Sequence, residues 1–250
     1  MIPPILMYHR IGDVPEDKNA VSPERFELQL QYLEDHGFRS LGLTEWYEMV
    51  QRGEKVPEKS VILTFDDGYL DNWELAMPLL LRYEMKATVF MVASLIGKTN
   101  EWEVNAFRQG VPMMGAEHLR EWRRAGLEVG SHGVNHRRLL GLSSEELQME
   151  LTGSKKMLEE VAEGPVGFFC YPHGDFDQPS AEAVRQAGYL GAVAIYKGAS
   201  WKNPIEWFAL PRLRVTDGDE PGIFRWKVSK YHSWMGRARR WENKLKRLFR

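Results

Sequence analysis

The chain has 250 residues, 43% of them hydrophobic and 27% charged, with a formal net charge of −2; these are the proportions of a folded globular protein and exclude a disordered or fibrous one. Its single cysteine, Cys170, excludes an internal disulfide framework and a multi-cysteine zinc centre, so a metal here would need His and carboxylate ligands. No apolar run approaches the roughly 20 residues of a membrane span, and Met1-Ile2-Pro3-Pro4 lacks the basic stretch and apolar core of a secretory signal, so the expected location is the cytoplasm or the inner membrane face as a peripheral protein.

The predicted elements begin with a β-rich run from Ile5 to His9. A helix follows, with Ser22 as its cap, Pro23 in its first turn and Phe26, Leu30 and Leu33 at helical spacing before the stop at Gly37. Thr44 is expected to cap a second helix. Val61 to Phe65 reads as a strand buried on both faces. Residues 72–83 read as a helix that Pro78 would kink, and Ala87 to Val92 as another buried strand. Residues 97–115 have no period, and a loop of that length is expected to be a lid or binding loop. A helix over 116–125 leads to a short strand at 128–131. Ser143 and Glu146 form a capping-box pattern for a helix running to about Ala162. Then come a strand at 166–171, a helix at 180–187 stopped by Gly188, a strand at 191–195 and a last strand within 207–215. This alternation predicts an α/β fold with a parallel sheet covered by helices, and about seven units in this length suit a barrel.

The barrel is expected to occupy residues 1–233. In residues 234–250, Trp234, Ala238, Trp241, Leu245 and Leu248 recur at intervals of three and four, among Arg237, Arg240, Lys244 and Arg247. This pattern predicts a basic amphipathic helix. From Arg237 onward the net charge is +6, which leaves −8 on the remaining 236 residues. Such a helix either lies on an anionic membrane surface or packs its apolar stripe on the barrel. The acidic body offers no broad positive face, so nucleic acid is not an expected partner.

Three segments carry chemistry. Thr64-Phe65-Asp66-Asp67-Gly68-Tyr69 closes a buried strand, and the C-terminal strand ends of a parallel barrel face its active site. Two carboxylates there need a cation or strong donors to offset desolvation. Successive strand side chains point opposite ways, and Gly68 permits the turn that would bring both to one pocket. Asp-Asp-Gly is also a common turn sequence. His132 and His136 follow the next strand end but one; on one face of a turn they can share a metal, although two solvated loop histidines would look the same in sequence. A carboxylate with two His makes a ligand set with open coordination positions, able to activate water and polarise an acyl oxygen. Tyr171-Pro172-His173-Gly174 ends a third strand, where a substrate can approach closely and the His173 N–H can face an oxyanion. Trp102, Trp201 and Trp207 are candidate sugar-stacking surfaces.

Together, Asp66-Asp67, His132-x-x-x-His136 and Tyr171-Pro172-His173-Gly174 resemble, in order and spacing, the first three motifs of the polysaccharide deacetylase family (NodB homology, carbohydrate esterase family 4). The likeness covers about residues 2–230, and Leu6-Met7-Tyr8-His9-Arg10-Ile11 resembles the branch that includes the poly-N-acetylglucosamine deacetylases. The resemblance implies a distorted (β/α) barrel of about seven strands and a metal-dependent N-deacetylase of an N-acetylated glycan. It implies Asp67, His132 and His136 as metal ligands, Asp66 as general base, and a substrate-binding turn at Tyr171 and Pro172. Zinc is the expected ion; Co2+, Ni2+, Mn2+ and Fe2+ also suit such ligands. Two departures stand out. Many members carry an Arg two residues before the Pro of the third motif, where this chain has Cys170; Arg212, in Leu210-Pro211-Arg212, is the candidate replacement. A late Leu-x-His, whose His serves as general acid in many members, is not found, which leaves His9 and His173 as candidates. A metal hydrolase of a non-sugar amide would show the same ligand set. A catalytically weak glycan-binding relative is the alternative from another class.

Overall fold

The structure, a computed structural model, describes residues 2–14, 16–100, 110–195 and 205–229. The expected tail helix, Trp102 and Trp201 lie outside the described residues. Ten strands are present among those described: β1 (Ile5–Tyr8), β2 (Arg10–Ile11), β3 (Ala20–Val21), β4 (Arg39–Ser40), β5 (Ser60–Phe65), β6 (Thr88–Met91), β7 (Glu128–Ser131), β8 (Phe168–Cys170), β9 (Gly191–Ile195) and β10 (Leu210–Arg214). The helices are α1 (Pro23–Asp35), α2 (Leu43–Gln51), α3 (Met77–Arg82), α4 (Ala116–Arg124), α5 (Ser144–Gln148), α6 (Ser154–Val161), α7 (Gln178–Gln186) and α8 (Pro221–Val228).

Seven strands close a parallel barrel in the order β1-β10-β9-β8-β7-β6-β5, and β5 returns to β1 through Ile5↔Ile62 to Tyr8↔Phe65. The short β4 runs parallel to the first residues of β5, and β2 pairs with β3. Because the strands are covered outside by helices and filled inside by side chains, both faces must be apolar. Leu6, Leu63, Val89, Val129 and Phe169 belong to one buried cluster with helix residues such as Phe26, Trp122 and Leu158. Ile5, Ile62, Phe90, Phe168, Val193 and Leu210 form a second cluster with Leu43, Trp46 and Met49 of α2. Helix α2 therefore seals the N-terminal end of the barrel and leaves the C-terminal strand ends for chemistry.

Three local expectations need correction or refinement. Gly42, not Thr44, precedes α2, and the first N–H groups of the helix, those of Leu43 and Thr44, donate to the Glu128 carboxylate of β7 at 2.9 and 3.1 Å. The helix over 72–83 is irregular: residues Asn72–Ala76 form a π turn that runs directly into α3, with Pro78 in the first turn after it. Helix α7 starts at Gln178, two residues before its expected start at Ser180, because Asp177 caps it, its side chain accepting from the Ser180 N–H at 2.9 Å. The capping box at Ser143 and Glu146 forms, with bonds of 2.9 and 3.2 Å, but a π turn at Met149–Gly153 divides the helix that follows. Among the described residues, no helix is long and apolar enough to cross a membrane.

Candidate active site

Asp66 continues the β5 ladder by donating its N–H to the Tyr8 carbonyl at 2.9 Å. Alternation from Thr64 then turns its side chain into the barrel. Asp67 leaves the strand in a left-handed conformation, φ 73°, followed by Gly68 at φ 84°. The sharp turn brings the second carboxylate back over the same mouth instead of outward. A Cβ at residue 68 would clash with the Met91 side chain, in a backbone conformation that side-chain-bearing residues rarely adopt. His132 follows β7, and its Nδ1 lies 2.8 Å from the Cys170 carbonyl across the β7–β8 seam. A carbonyl only accepts, so Nδ1 carries a hydrogen, and Nε2 is the nitrogen that faces Asp67. His136, like Asp67, has positive φ, at 55°. Asp67, His136 and His173 account for three of the five described non-glycine residues with positive φ. Such conformations cost about 1–3 kcal/mol each and cluster where function needs them.

The Asp67 Oδ1 lies 3.4 Å from His132 Nε2 and 3.5 Å from His136 Nε2. The ligand atoms of all three residues lie within 4.8 Å of one another. Metal–ligand bonds of about 2.1 Å at tetrahedral angles separate neighbouring donors by about 3.4 Å, so this trio fits one divalent ion. His136 is held far from protonation, down to about 3, by burial and then by the neighbouring His132 charge. That leaves the neutral imidazole a metal requires. Asp67 stays ionised: burial opposes its charge, but the His132 hydrogen bond and the two imidazoles hold its pKa well below the carboxylate range.

Arg212 of β10 points into the barrel, 2% exposed. Its two terminal nitrogens donate to the two oxygens of Asp66 at 2.5 and 2.7 Å, a bidentate pairing. It also donates to Thr64 Oγ1 at 3.1 Å and contacts Cys170 Sγ at 3.1 Å, with its charge 5.7 Å from the Phe90 ring centroid. Burial alone would raise the Asp66 pKa; the Arg212 guanidinium outweighs it and keeps the carboxyl below its ordinary value. Cys170 thus stands beside the guanidinium that reaches Asp66 from another strand. Asp66, His132 and Cys170 are also close enough to share an ion. That trio is a poor cation site, because Arg212 touches two of its members and burial pushes the Cys170 thiol up, away from thiolate.

Asp66, Asp67, His132 and His136 line a cavity of about 190 Å³ together with His9, Asn19, Tyr171 and His173. His9 has its Nδ1 buried with no hydrogen-bond partner. Its pKa is lowered by burial, against the upward pull of Asp67 and Asp66. The exposed His173 sits with its ring centroid 4.7 Å from that of His136. Tyr171 borders the cavity, but its hydroxyl donates to the Phe208 carbonyl at 2.9 Å and its ring stacks on Phe176. Pro172 is buried in the turn that shapes the wall. Trp207 is a correction: it packs against Trp46 and Tyr47 at ring distances of 4.7 and 4.8 Å. Its carbonyl bonds to Ala192 near the start of β9, at the sealed end of the barrel, so it cannot stack a sugar at the mouth. Asn19 reaches the cavity from the loop before β3, with no sequence signal to mark it.

Comparison with known proteins agrees with this geometry. Residues 53–192 match the model of the family described as polysaccharide deacetylase. The Bacillus subtilis (strain 168) protein YxkH, to which a polysaccharide deacetylase activity is ascribed by name, is 32% identical over 221 residues, covering 88% of this chain and 74% of that one. The poly-β-1,6-N-acetyl-D-glucosamine N-deacetylase of Staphylococcus aureus (strain MSSA476) is 27% identical over 222 residues, covering 84% and 73%. Among solved structures, the Streptococcus pyogenes deacetylase PplD in complex with acetate superposes with a TM-score of 0.79 at 27% identity, covering 92% of this chain and 99% of that one.

Proposed function

The chain belongs to the polysaccharide deacetylase family, and from that premise we propose that it hydrolyses the N-acetyl groups of a polymer of N-acetylglucosamine. The substrate class is carried over from the Staphylococcus aureus relative, whose name specifies a β-1,6-linked polymer. The observation that carries the reading is the convergence of Asp67, His132 and His136 on Oδ1–Nε2 separations of 3.4 and 3.5 Å, beside an Asp66 gripped by Arg212.

Asp67, His132 and His136 would hold the metal, and zinc suits the set. A divalent ion held there would lower the pKa of water and polarise an acyl oxygen. Asp66 is the general base. Arg212 takes one lone pair on each of its oxygens, and a carboxylate has about four such sites, so others remain to accept the proton of an attacking water. The same grip fixes the carboxylate and keeps it ionised. His9 is the proton donor to the departing nitrogen. It lines the cavity beside Asp66 and Asp67, whose charges pull its pKa up against burial. His173 is the more exposed of the two and borders the rim.

The test is acetate release from β-1,6-linked N-acetylglucosamine oligomers by the zinc-loaded chain. Release that stops on chelation and returns with zinc is the expected result. No release by the metal-loaded protein would sink the deacetylase reading, and release indifferent to chelator would sink the metal's part in it.

A further inference from the structure

The loop that carries His136 owes its shape to a residue outside all three motifs. Glu150, 1% exposed, lies in the π turn Met149–Gly153. Its Oε2 accepts the N–H groups of Val134 at 2.8 Å and Asn135 at 3.0 Å, and its Oε1 accepts the Asn135 side-chain amide at 3.0 Å. A Cβ on Gly133 would come within 2.9 Å of Oε2, so the loop backbone can sit this close only with glycine there. The Gly133 N–H is taken by Ser131 Oγ at 3.2 Å, so three successive N–H groups between the two histidines are all bound. On the other side, the carbonyls of Gly133 and Val134 accept from Ala93 and Ser94 at 3.0 Å each. The next residue is His136 in its left-handed conformation.

We propose that Glu150 is a positioning residue for the metal site: by clamping the 133–135 backbone it aims the His136 imidazole at the point shared with Asp67 and His132. A buried carboxylate with three donors on one loop is a specific arrangement, because an acid placed there without them would be strongly disfavoured. The π turn displaces the helix locally and presents the side chain inward; such turns recur at functional sites. The proposal rests on the reading of Asp67, His132 and His136 as ligands. Partners that orient metal-binding histidines are typically worth about 10–100-fold in affinity.

Two substitutions separate reach from charge. Glu150→Gln keeps the length and can still accept both backbone N–H groups through Oε1, with the Asn135 amide flipped to match. Glu150→Asp keeps the charge but falls short of the loop. Zinc affinity is measured by chelator competition, alongside the Tm of the metal-free proteins. The expected result is that Glu150→Asp weakens zinc binding by about tenfold or more, while Glu150→Gln stays within about threefold of the parent, a margin well below the effect of losing an orienting partner. If the Asp variant binds zinc as tightly as the Gln variant, or more tightly, the proposal is overturned: Glu150 then acts through its charge, or only through stability, which would lower Tm and leave affinity unchanged. If the parent chain itself binds no zinc, the ligand reading fails and the proposal falls with it, an outcome distinct from a parent that binds zinc and variants in the wrong order.

Discussion

The two ends of this barrel use carboxylates in opposite ways. At the floor, Glu128 accepts neutral donors, the N–H groups of Leu43 and Thr44 and the Thr88 hydroxyl, and so joins α2 to the sheet. Loss of hydration raises its pKa, and these neutral donors do not reverse the shift. At the mouth, Asp66 and Asp67 are at least as buried, yet both are held below their ordinary values, one by Arg212 and one by two imidazoles. Neutral hydrogen bonds are enough for a carboxylate that only has to tie two elements together. A carboxylate that must stay ionised in a closed cavity needs positive partners in direct contact, as Asp66 has in Arg212 and Asp67 in the imidazoles at the mouth.

The largest expected effect comes from testing the charge at the mouth directly. Asp66→Asn keeps the shape and most Arg212 contacts but removes the base. Turnover should fall about 10³-fold, within the range for a general base, while zinc content stays at one per chain. An Asn variant that retains zinc and turns over at the parent rate would erase the distinction between the two ends. The next effect is that of Arg212→Met, which fills the barrel interior but leaves Asp66 unpaired. Breaking a buried pair from one side costs about 3–5 kcal/mol, and urea unfolding should show it. Acetate release should drop as well, since a desolvated Asp66 without its guanidinium is pushed toward the protonated form. A variant as stable as the parent would mean that the ion pair is not what holds Asp66.

Much of this arrangement was legible in the sequence because it rests on strand ends. Val61 to Phe65 and Ala87 to Val92 are continuous apolar runs because both of their faces are buried, which is also what identified them as barrel strands. The Asp-Asp-Gly segment was visible because it follows such a run directly, and the His-x-x-x-His segment because it follows the short strand at 128–131. Harder to see was the turn itself: the positive φ needed to bring the second carboxylate back falls on Asp67 as well as on Gly68, and glycine alone signals such turns. Trp207 was misassigned because an aromatic after a strand looks the same at either end of a barrel; only the packing against Trp46 says which. Glu150 left a faint mark. It lies on the helical stripe with Leu147, Ser154 and Leu158, where an acid is out of place unless something buried needs it. Cys170 and Arg212 lie 42 residues apart in sequence and on different strands, so their contact is a property of the closed barrel, not of any local pattern.

The smallest expected effect sharpens the comparison from the floor. Glu128→Gln can keep the bonds to α2 through Oε1 and offer its amide to the Thr88 hydroxyl. Replacing the acid should therefore leave kcat unchanged and alter stability at neutral pH by no more than about 1 kcal/mol, the scale of one net hydrogen bond. The pH dependence carries the information. Because the folded state raises the Glu128 pKa, the folded protein binds more protons than the unfolded chain at pH values between the two pKa values. The parent's stability relative to the Gln variant should then rise as pH falls through the folded pKa, and level off below the unfolded value of about 4.3. Asp66, with its pKa lowered by Arg212, works in the other direction: its contribution is present above the unfolded carboxylate pKa of about 3.9 and is lost as pH falls toward its lower folded value. Tm measured for the parent and Glu128→Gln between pH 7 and pH 5 isolates the floor, since the mouth is common to both. A gap in Tm that stays constant, or that moves against the parent on acidification, would mean that Glu128 is charge-stabilised like the carboxylates at the mouth, and the contrast between the two ends would fail.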